Sequence, residues 1–213
     1  MNYDDLLHKL GKQGFFDLAS VVQVSEEPRQ SIQTQLYRWC KKGKLISLRR
    51  GMYAIPEPYR SPAINPAELA NHLYAPSYLS LHWALGYYGL IPEMVVSYTS
   101  ISSRVTRSFE NIDGRFSYRH IKNGGFFGAR SVEIATQKVR IAEPEKAMLD
   151  LWYMEQGPWS RFRLTEMRYQ NIDRLDVNRM QDYADRFSSK RLLSIFDNWK
   201  RWCYAEEQGS IEL

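Results

Sequence analysis

The residues that come nearest to a catalytic constellation are Glu143, Glu145, Lys146 and Asp150, in the run Glu143-Pro144-Glu145-Lys146-Ala147-Met148-Leu149-Asp150. A metal-dependent nuclease would want an acid on one strand and Glu-x-Lys on the next, so that the carboxylates hold a divalent cation. Glu133 falls on a strand-like run, but the Glu-x-Lys spacing is absent. A helix beginning near Pro144 accounts for the same residues without catalysis. Lys146 and Asp150 stand four apart and can pair across one turn, while Glu143 and Glu145 sit where the helix dipole favours negative charge.

Other chemistries find less support. His8, His72, His82 and His120 are dispersed, with no two at ligand spacing, and His82 reads as a hydrogen-bonded core residue of an apolar helix. Cys40 and Cys203 lack Cys-x-x-Cys spacing, and Cys40 falls on the apolar side of its helix. No Gly-x-Ser-x-Gly elbow or phosphate-binding Gly-x-x-x-x-Gly-Lys loop is present. The glycine-rich run Asn123–Gly128 lies between β-prone segments and reads as a loop or hairpin turn rather than a phosphate cradle. The expectation is therefore no catalytic residue, no metal and no cofactor, with a metal-dependent nuclease as the weakest alternative.

Charge is more informative once it is sorted by position. The 213 residues carry 29 Lys+Arg against 24 Asp+Glu, a net of +5, of which +4 belongs to residues 1–62. Residues 28–50 hold seven basic residues and no acid: Arg29, Arg38, Lys41, Lys42, Lys44, Arg49 and Arg50. Such a run is a candidate footprint for a polyanion, or else a solvated helix face.

The elements that would carry this run follow from periodicity. Leu6, Leu7 and Leu10 recur at helical spacing and stop at Gly11; Phe15–Val22 reads as a second short helix. Ser25-Glu26-Glu27-Pro28 resembles a helix start with a serine cap, and Gly43 is the stop after Lys42. In between, Ile32, Leu36 and Trp39/Cys40 form one stripe, while Arg29, Gln30, Gln33, Thr34, Tyr37, Arg38 and Lys41 form the other side. Two short β-prone runs, Leu45–Leu48 and Met52–Ile55, flank Arg49-Arg50-Gly51 and predict a hairpin. Helix, helix, turn, amphipathic helix and hairpin is the order of a winged helix-turn-helix. That fold presents its third helix to the DNA major groove and its hairpin to the backbone or minor groove. Candidate DNA-binding residues are thus Arg29, Gln30, Gln33, Thr34, Tyr37, Arg38, Lys41, Lys42, Lys44, Arg49 and Arg50. A winged helix can also bind a protein partner or RNA, and that alternative stays open.

Beyond the proline-rich stretch Pro56–Pro66 the pattern is helix, strand, helix. Pro66–Leu73 and Tyr78–Gly89 read as helices, and Val95–Ile101, Phe116–Ile121, Val132–Ala135 and Lys138–Ile141 as strands of a four- or five-stranded sheet. Helices are expected again from Glu143, over Asn178–Phe187 and over Ser189–Glu206. Arg104, Arg107, Arg115, Arg119 and Lys122 make a possible second basic patch; alternation puts Arg115 and Arg119 on one strand face and Phe116, Tyr118 and His120 on the other. Leu192, Phe196, Trp199 and Trp202 recur at helical spacing and are expected to pack on this unit. The predicted fold class is α+β: a winged helix-turn-helix over residues 1–60, then a mixed α/β domain over 61–213 with a small sheet and C-terminal helices.

A 44% apolar, 25% charged composition reads as globular, and no run of eighteen apolar residues suggests a membrane span. The acidic, amphipathic start does not fit a secretory signal, so a cytoplasmic location is expected.

Three segments carry a family resemblance. They are Gly43-Lys44-Leu45-Ile46 with Arg50-Gly51-Met52-Tyr53; Tyr78-Leu79-Ser80-Leu81 with Ala84-Leu85 and Gly89-Leu90; and Arg140-Ile141-Ala142-Glu143-Pro144-Glu145-Lys146-Ala147-Met148-Leu149-Asp150. Their order and spacing resemble the AbiEi family of type IV antitoxins, predicted transcriptional regulators of phage-defence operons. The segment after residue 153 carries none of these motifs. The resemblance implies an N-terminal DNA-binding winged helix, an antitoxin domain and autoregulation of a toxin–antitoxin operon. It implies Arg29–Lys42 as recognition helix, Arg49 and Arg50 as wing, and double-stranded operator DNA as partner. The functional partner would be a nucleotidyltransferase-like toxin, not necessarily in direct contact.

Overall fold

Nine α-helices and two β-sheets make up the residues described by the computed structural model, which are 1–57, 59–60 and 63–209, and the fold is of the mixed α+β kind. The expected boundary at 60–61 adjoins Pro58, Ser61 and Pro62, which lie outside the described residues, as do residues 210–213 at the end of the expected second domain.

Helix α1 (Tyr3–Leu10) starts in a capping box: the Asn2 side chain accepts from the Asp5 backbone N–H, and the Asp5 carboxylate accepts from that of Asn2. The helix expected over Phe15–Val22 is instead a strand followed by a helix. Phe15–Asp17 form β1, and only Leu18–Gln23 form α2. The reason is tertiary, because β1 pairs antiparallel with a strand more than thirty residues later. Asp17 then turns the chain by capping α2, its Oδ1 accepting from the Ser20 backbone N–H at 2.8 Å. Helix α3 spans Arg29–Lys41. Ser25 is not its cap; its hydroxyl accepts from Glu27 N–H in the preceding turn, and Pro28 sits at the cap position without a side-chain hydrogen bond. Strands β2 (Ile46–Arg49) and β3 (Met52–Ala54) form the hairpin, and Gly51, at φ +77°, makes its turn in a conformation that other residues rarely adopt. The sheet order is β1-β3-β2.

The larger part begins with α4 (Pro66–Leu73), capped by Asn65, followed by β4 (Ser77–Leu79) and α5 (Leu81–Tyr87). The sheet continues with β5 (Tyr98–Ser102), β6 (Arg107–Asn111), β7 (Gly114–His120), β8 (Ala129–Ile134) and β9 (Gln137–Ala142). Helices α6 (Pro144–Met154), α7 (Arg161–Glu166), α8 (Val177–Phe187) and α9 (Lys190–Gly209) follow. The six strands run β6-β7-β5-β4-β9-β8, with β4/β9 and β5/β7 parallel and the other pairs antiparallel.

The sheet has six strands rather than the expected four or five, and β4 and β6 are the two that no strand-like segment announced. Tyr78 and Leu79 read as the start of the Tyr78–Gly89 helix because all of β4 is buried, and a strand enclosed on both faces has no alternation to betray it. β6 escaped because its sequence, Arg-Ser-Phe-Glu-Asn, is that of a polar, partly exposed edge strand. Register divides the sheet into two faces. Tyr118 projects towards α4, where its hydroxyl donates to the Ala70 carbonyl, and Tyr78 projects oppositely towards α6.

Two apolar clusters result. Leu6, Leu10, Phe16, Leu18, Val21, Ile32, Leu36, Leu45 and Ile55 form the smaller. The larger takes in the second sheet, its helices and the C-terminal stripe of Leu192, Phe196, Trp199 and Trp202, as expected. It also takes Leu48, Met52 and Ala54 from the hairpin, while the flanking Leu45 and Ile55 belong to the smaller cluster, so the hairpin joins the two.

Candidate nucleic-acid interface

The apolar stripe of α3 is well buried, with Ile32 and Leu36 wholly inaccessible and Trp39 and Cys40 half-buried. That orientation leaves Arg29, Gln30, Gln33, Thr34, Tyr37, Arg38 and Lys41 exposed, joined beyond the helix by Lys42 and Lys44. The Thr34 hydroxyl is tied back to the Gln30 carbonyl at 3.0 Å, whereas Tyr37 is 62% exposed with the Lys41 ammonium over its ring. Arg38 and Lys41 lie in the last turn, where the helix dipole favours cations. Lys44 is fixed otherwise, its ammonium over the Tyr3 ring and its carbonyl accepting from the Tyr3 hydroxyl. The face carries guanidinium, amide, hydroxyl and ammonium groups and no carboxylate, a set able to bond phosphate oxygens and base edges.

The two hairpin arginines part company. Arg50 is exposed at the turn. Arg49 is half-buried and folded back, with Nη1 donating to the Arg50 carbonyl at 2.9 Å and Nε buried without a hydrogen-bond partner. Burial is the main cause that holds the Arg49 guanidinium below the usual arginine range; repulsion from Arg104 and Arg107 adds to it, and Asp17 opposes it. Asp17 is in turn held below the usual carboxylate range, chiefly by the Ser20 backbone N–H and further by Arg49. The hairpin is thus electrostatically continuous with the start of the second basic stretch. β2 lies beside β6, and the Asn111 side chain donates to the Leu48 carbonyl at 3.2 Å.

That second stretch does not converge on one face. Arg104 and Arg107 lie near Arg49, on the α4 side of the sheet. Arg115 and Arg119 point the other way, as alternation predicted, and Arg115 is paired with Glu110. Lys122 is exposed just before a 3-10 turn at Asn123–Gly125. What sequence reasoning did not find is the aromatic group beneath Arg104 and Arg107: Tyr74, Phe109 and Tyr118, ring to ring at 5.2 to 6.0 Å. The alternation around Tyr118 was its one visible signal.

The acidic cluster at α6 is internal. Lys146 and Asp150 are ion-paired and fully excluded from solvent. Lys146 donates to the Tyr78 hydroxyl, while Asp150 accepts from Tyr78 and, at 2.8 Å, from Ser80. Burial pushes Lys146 below the usual lysine range. Glu145 accepts from the Asp176 backbone N–H and faces Arg179, and Glu143 accepts from the Tyr183 hydroxyl. Each charge therefore has a partner that holds α6 in place. Among the described residues no group of three or more His, Cys, Asp or Glu could hold a metal ion. His82, expected in the core, is instead half-exposed, with Nε2 3.6 Å from Glu155, because α5 turns that side outward. No helix among the described residues is long and apolar enough to cross a membrane.

No family model matches the chain, and no curated protein matches it.

Proposed function

We propose that the chain is a DNA-binding transcriptional regulator whose residues 1–60 act as a winged helix-turn-helix, with α3 reading the major groove and Arg50 reaching the backbone from the wing. The observation that carries the reading is the carboxylate-free exposed face of α3. It is supported by the order α1, β1, α2, α3, β2, β3 and by the hairpin's antiparallel pairing with β1. The proposal extends to an antitoxin and autorepressor of an AbiE-like, type IV toxin–antitoxin system acting in the cytoplasm. That part rests on the resemblance of the three segments around Arg50, Ser80 and Lys146.

Fluorescence anisotropy with duplex DNA from upstream of the operon, at several salt concentrations, tests the first part. Sequence-preferring binding that weakens steeply with salt is expected. Equal affinity for unrelated duplexes would remove the regulator, and tighter binding to single-stranded RNA would favour the RNA reading, which the exposed Tyr37 ring also suits. Co-expression with a neighbouring nucleotidyltransferase-like protein tests the second part. Rescue of growth is expected, and unrelieved toxicity would leave an orphan regulator.

A further inference from the structure

Where the hairpin meets the edge of the larger sheet, two guanidinium groups lie over an aromatic floor, and a third acts on them electrostatically from the hairpin. Arg104 stacks over Tyr74 with its guanidinium carbon 4.4 Å from the ring centroid, and Arg107 lies 5.3 Å over Phe109. Tyr118 packs against both rings. Arg49 enters from β2, within electrostatic reach of Tyr118, Arg104 and Arg107. A guanidinium stacked over a ring face keeps its N–H donors in its own plane, clear of the ring and free to form forked bonds to an oxyanion. Only part of that capacity is used: Arg104 Nη1 donates to the Ala75 carbonyl at 3.1 Å, and Arg49 Nη1 to the Arg50 carbonyl. Asp17 is the carboxylate that acts on Arg49, so the group carries an excess of positive charge.

We propose that Arg49, Arg104 and Arg107 together grip a phosphate group at the seam between the two sheets. Arg104 and Arg107 repel Arg49, and an oxyanion bonded by the three guanidinium groups relieves that repulsion. The tie between Asn111 and Leu48 fixes the spacing, so the site is preformed by the packing of hairpin on sheet. The phosphate is a backbone phosphate of bound DNA, in which case the proposal rests on the regulator reading, or that of a small phosphorylated solute. In the first case the larger sheet extends the DNA footprint beyond the wing.

The double variant Arg104→Gln/Arg107→Gln separates these outcomes. Both side chains are exposed, so the fold should persist, and circular dichroism checks that it does. For a backbone phosphate, the slope of log affinity against log salt for upstream duplex DNA should fall by about 2. Inorganic pyrophosphate should then leave the wild-type melting temperature unchanged. For a phosphorylated solute, pyrophosphate should raise the wild-type melting temperature, the variant should lose that rise, and the DNA slope should not move. The opposite-face variant Arg115→Gln/Arg119→Gln should leave both readouts as in wild type; an equal loss there would overturn the proposal. It is also overturned if the first variant matches wild type in both readouts. If wild type binds no duplex at all, the regulator reading fails by itself. The pyrophosphate shift then decides the arginine group: lost in the variant it stands, absent in wild type it falls.

Discussion

Lys146 and Asp150, one turn apart on α6, form an ion pair from which water is wholly excluded, and each is bonded in addition to Tyr78 from the middle of the sheet. A buried pair of this kind repays its desolvation only while both members are present. Asp150→Ala should therefore cost about 3–5 kcal/mol, because it leaves an unpaired ammonium in the core. Lys146→Met/Asp150→Leu should cost less than Asp150→Ala alone. Urea unfolding of the three proteins checks this. A double variant as unstable as the single would show that packing around Tyr78, rather than charge, dominates.

The Asp17 cap makes a separate, pH-dependent contribution. Its carboxyl is held below its ordinary value of 3.8, so the folded state binds protons less readily than the unfolded chain. That stabilisation is present above the ordinary value and is lost as pH falls through the lower folded one. Asp17→Asn keeps a capping oxygen without the charge. Its deficit against wild type should be visible at about pH 6 and shrink at about pH 3, as measured by denaturant midpoints. A deficit that does not change with pH would sink this account of the cap.

On α3, Arg38 and Gln33 are the exposed residues best suited to base edges, by bidentate bonds to guanine and adenine respectively. If α3 reads the major groove, replacing either with alanine should relax preference at one base pair, with a loss of about 1–3 kcal/mol against the preferred base. Arg50→Ala should instead weaken all duplexes alike and lower the salt slope by about 1. Binding to a panel of single-base operator variants distinguishes the two patterns.

Leu48 links the hairpin to the larger core and, through its carbonyl, to Asn111. Leu48→Ala should cost about 2–5 kcal/mol as a core truncation. If the hairpin carries DNA contacts, operator affinity should fall as well, even at temperatures where the protein remains folded. Unchanged affinity in a destabilised variant would mean that the hairpin is dispensable for binding.

Local chemistry made α3 legible. Ile32 and Leu36 recur at helical spacing, Gly43 ends the pattern, and the opposite face has no acid. α6 was legible for similar reasons, since Pro144 starts it and Lys146 meets Asp150 at a spacing any helix would satisfy. Phe15-Phe16-Asp17 and Ser77-Tyr78-Leu79 were not, because a three-residue strand is defined by its partners, and those are Met52–Ala54 in one case and Ser100–Ser102 with Ile141 in the other.

The same distinction runs through the candidate sites. Sequence alone determined which residues can face water on α3, because a helix fixes the relation of neighbours three and four apart. It could assign the arginines after residue 100 to a basic stretch but not to a surface. Alternation already separated Arg115 and Arg119 from Tyr118, but only the tertiary structure brought Arg104 and Arg107 to the Arg49 side and set Tyr74, Phe109 and Tyr118 beneath them. Strand register and the docking of β2 on β6 decided it, and both depend on contacts between residues dozens of positions apart.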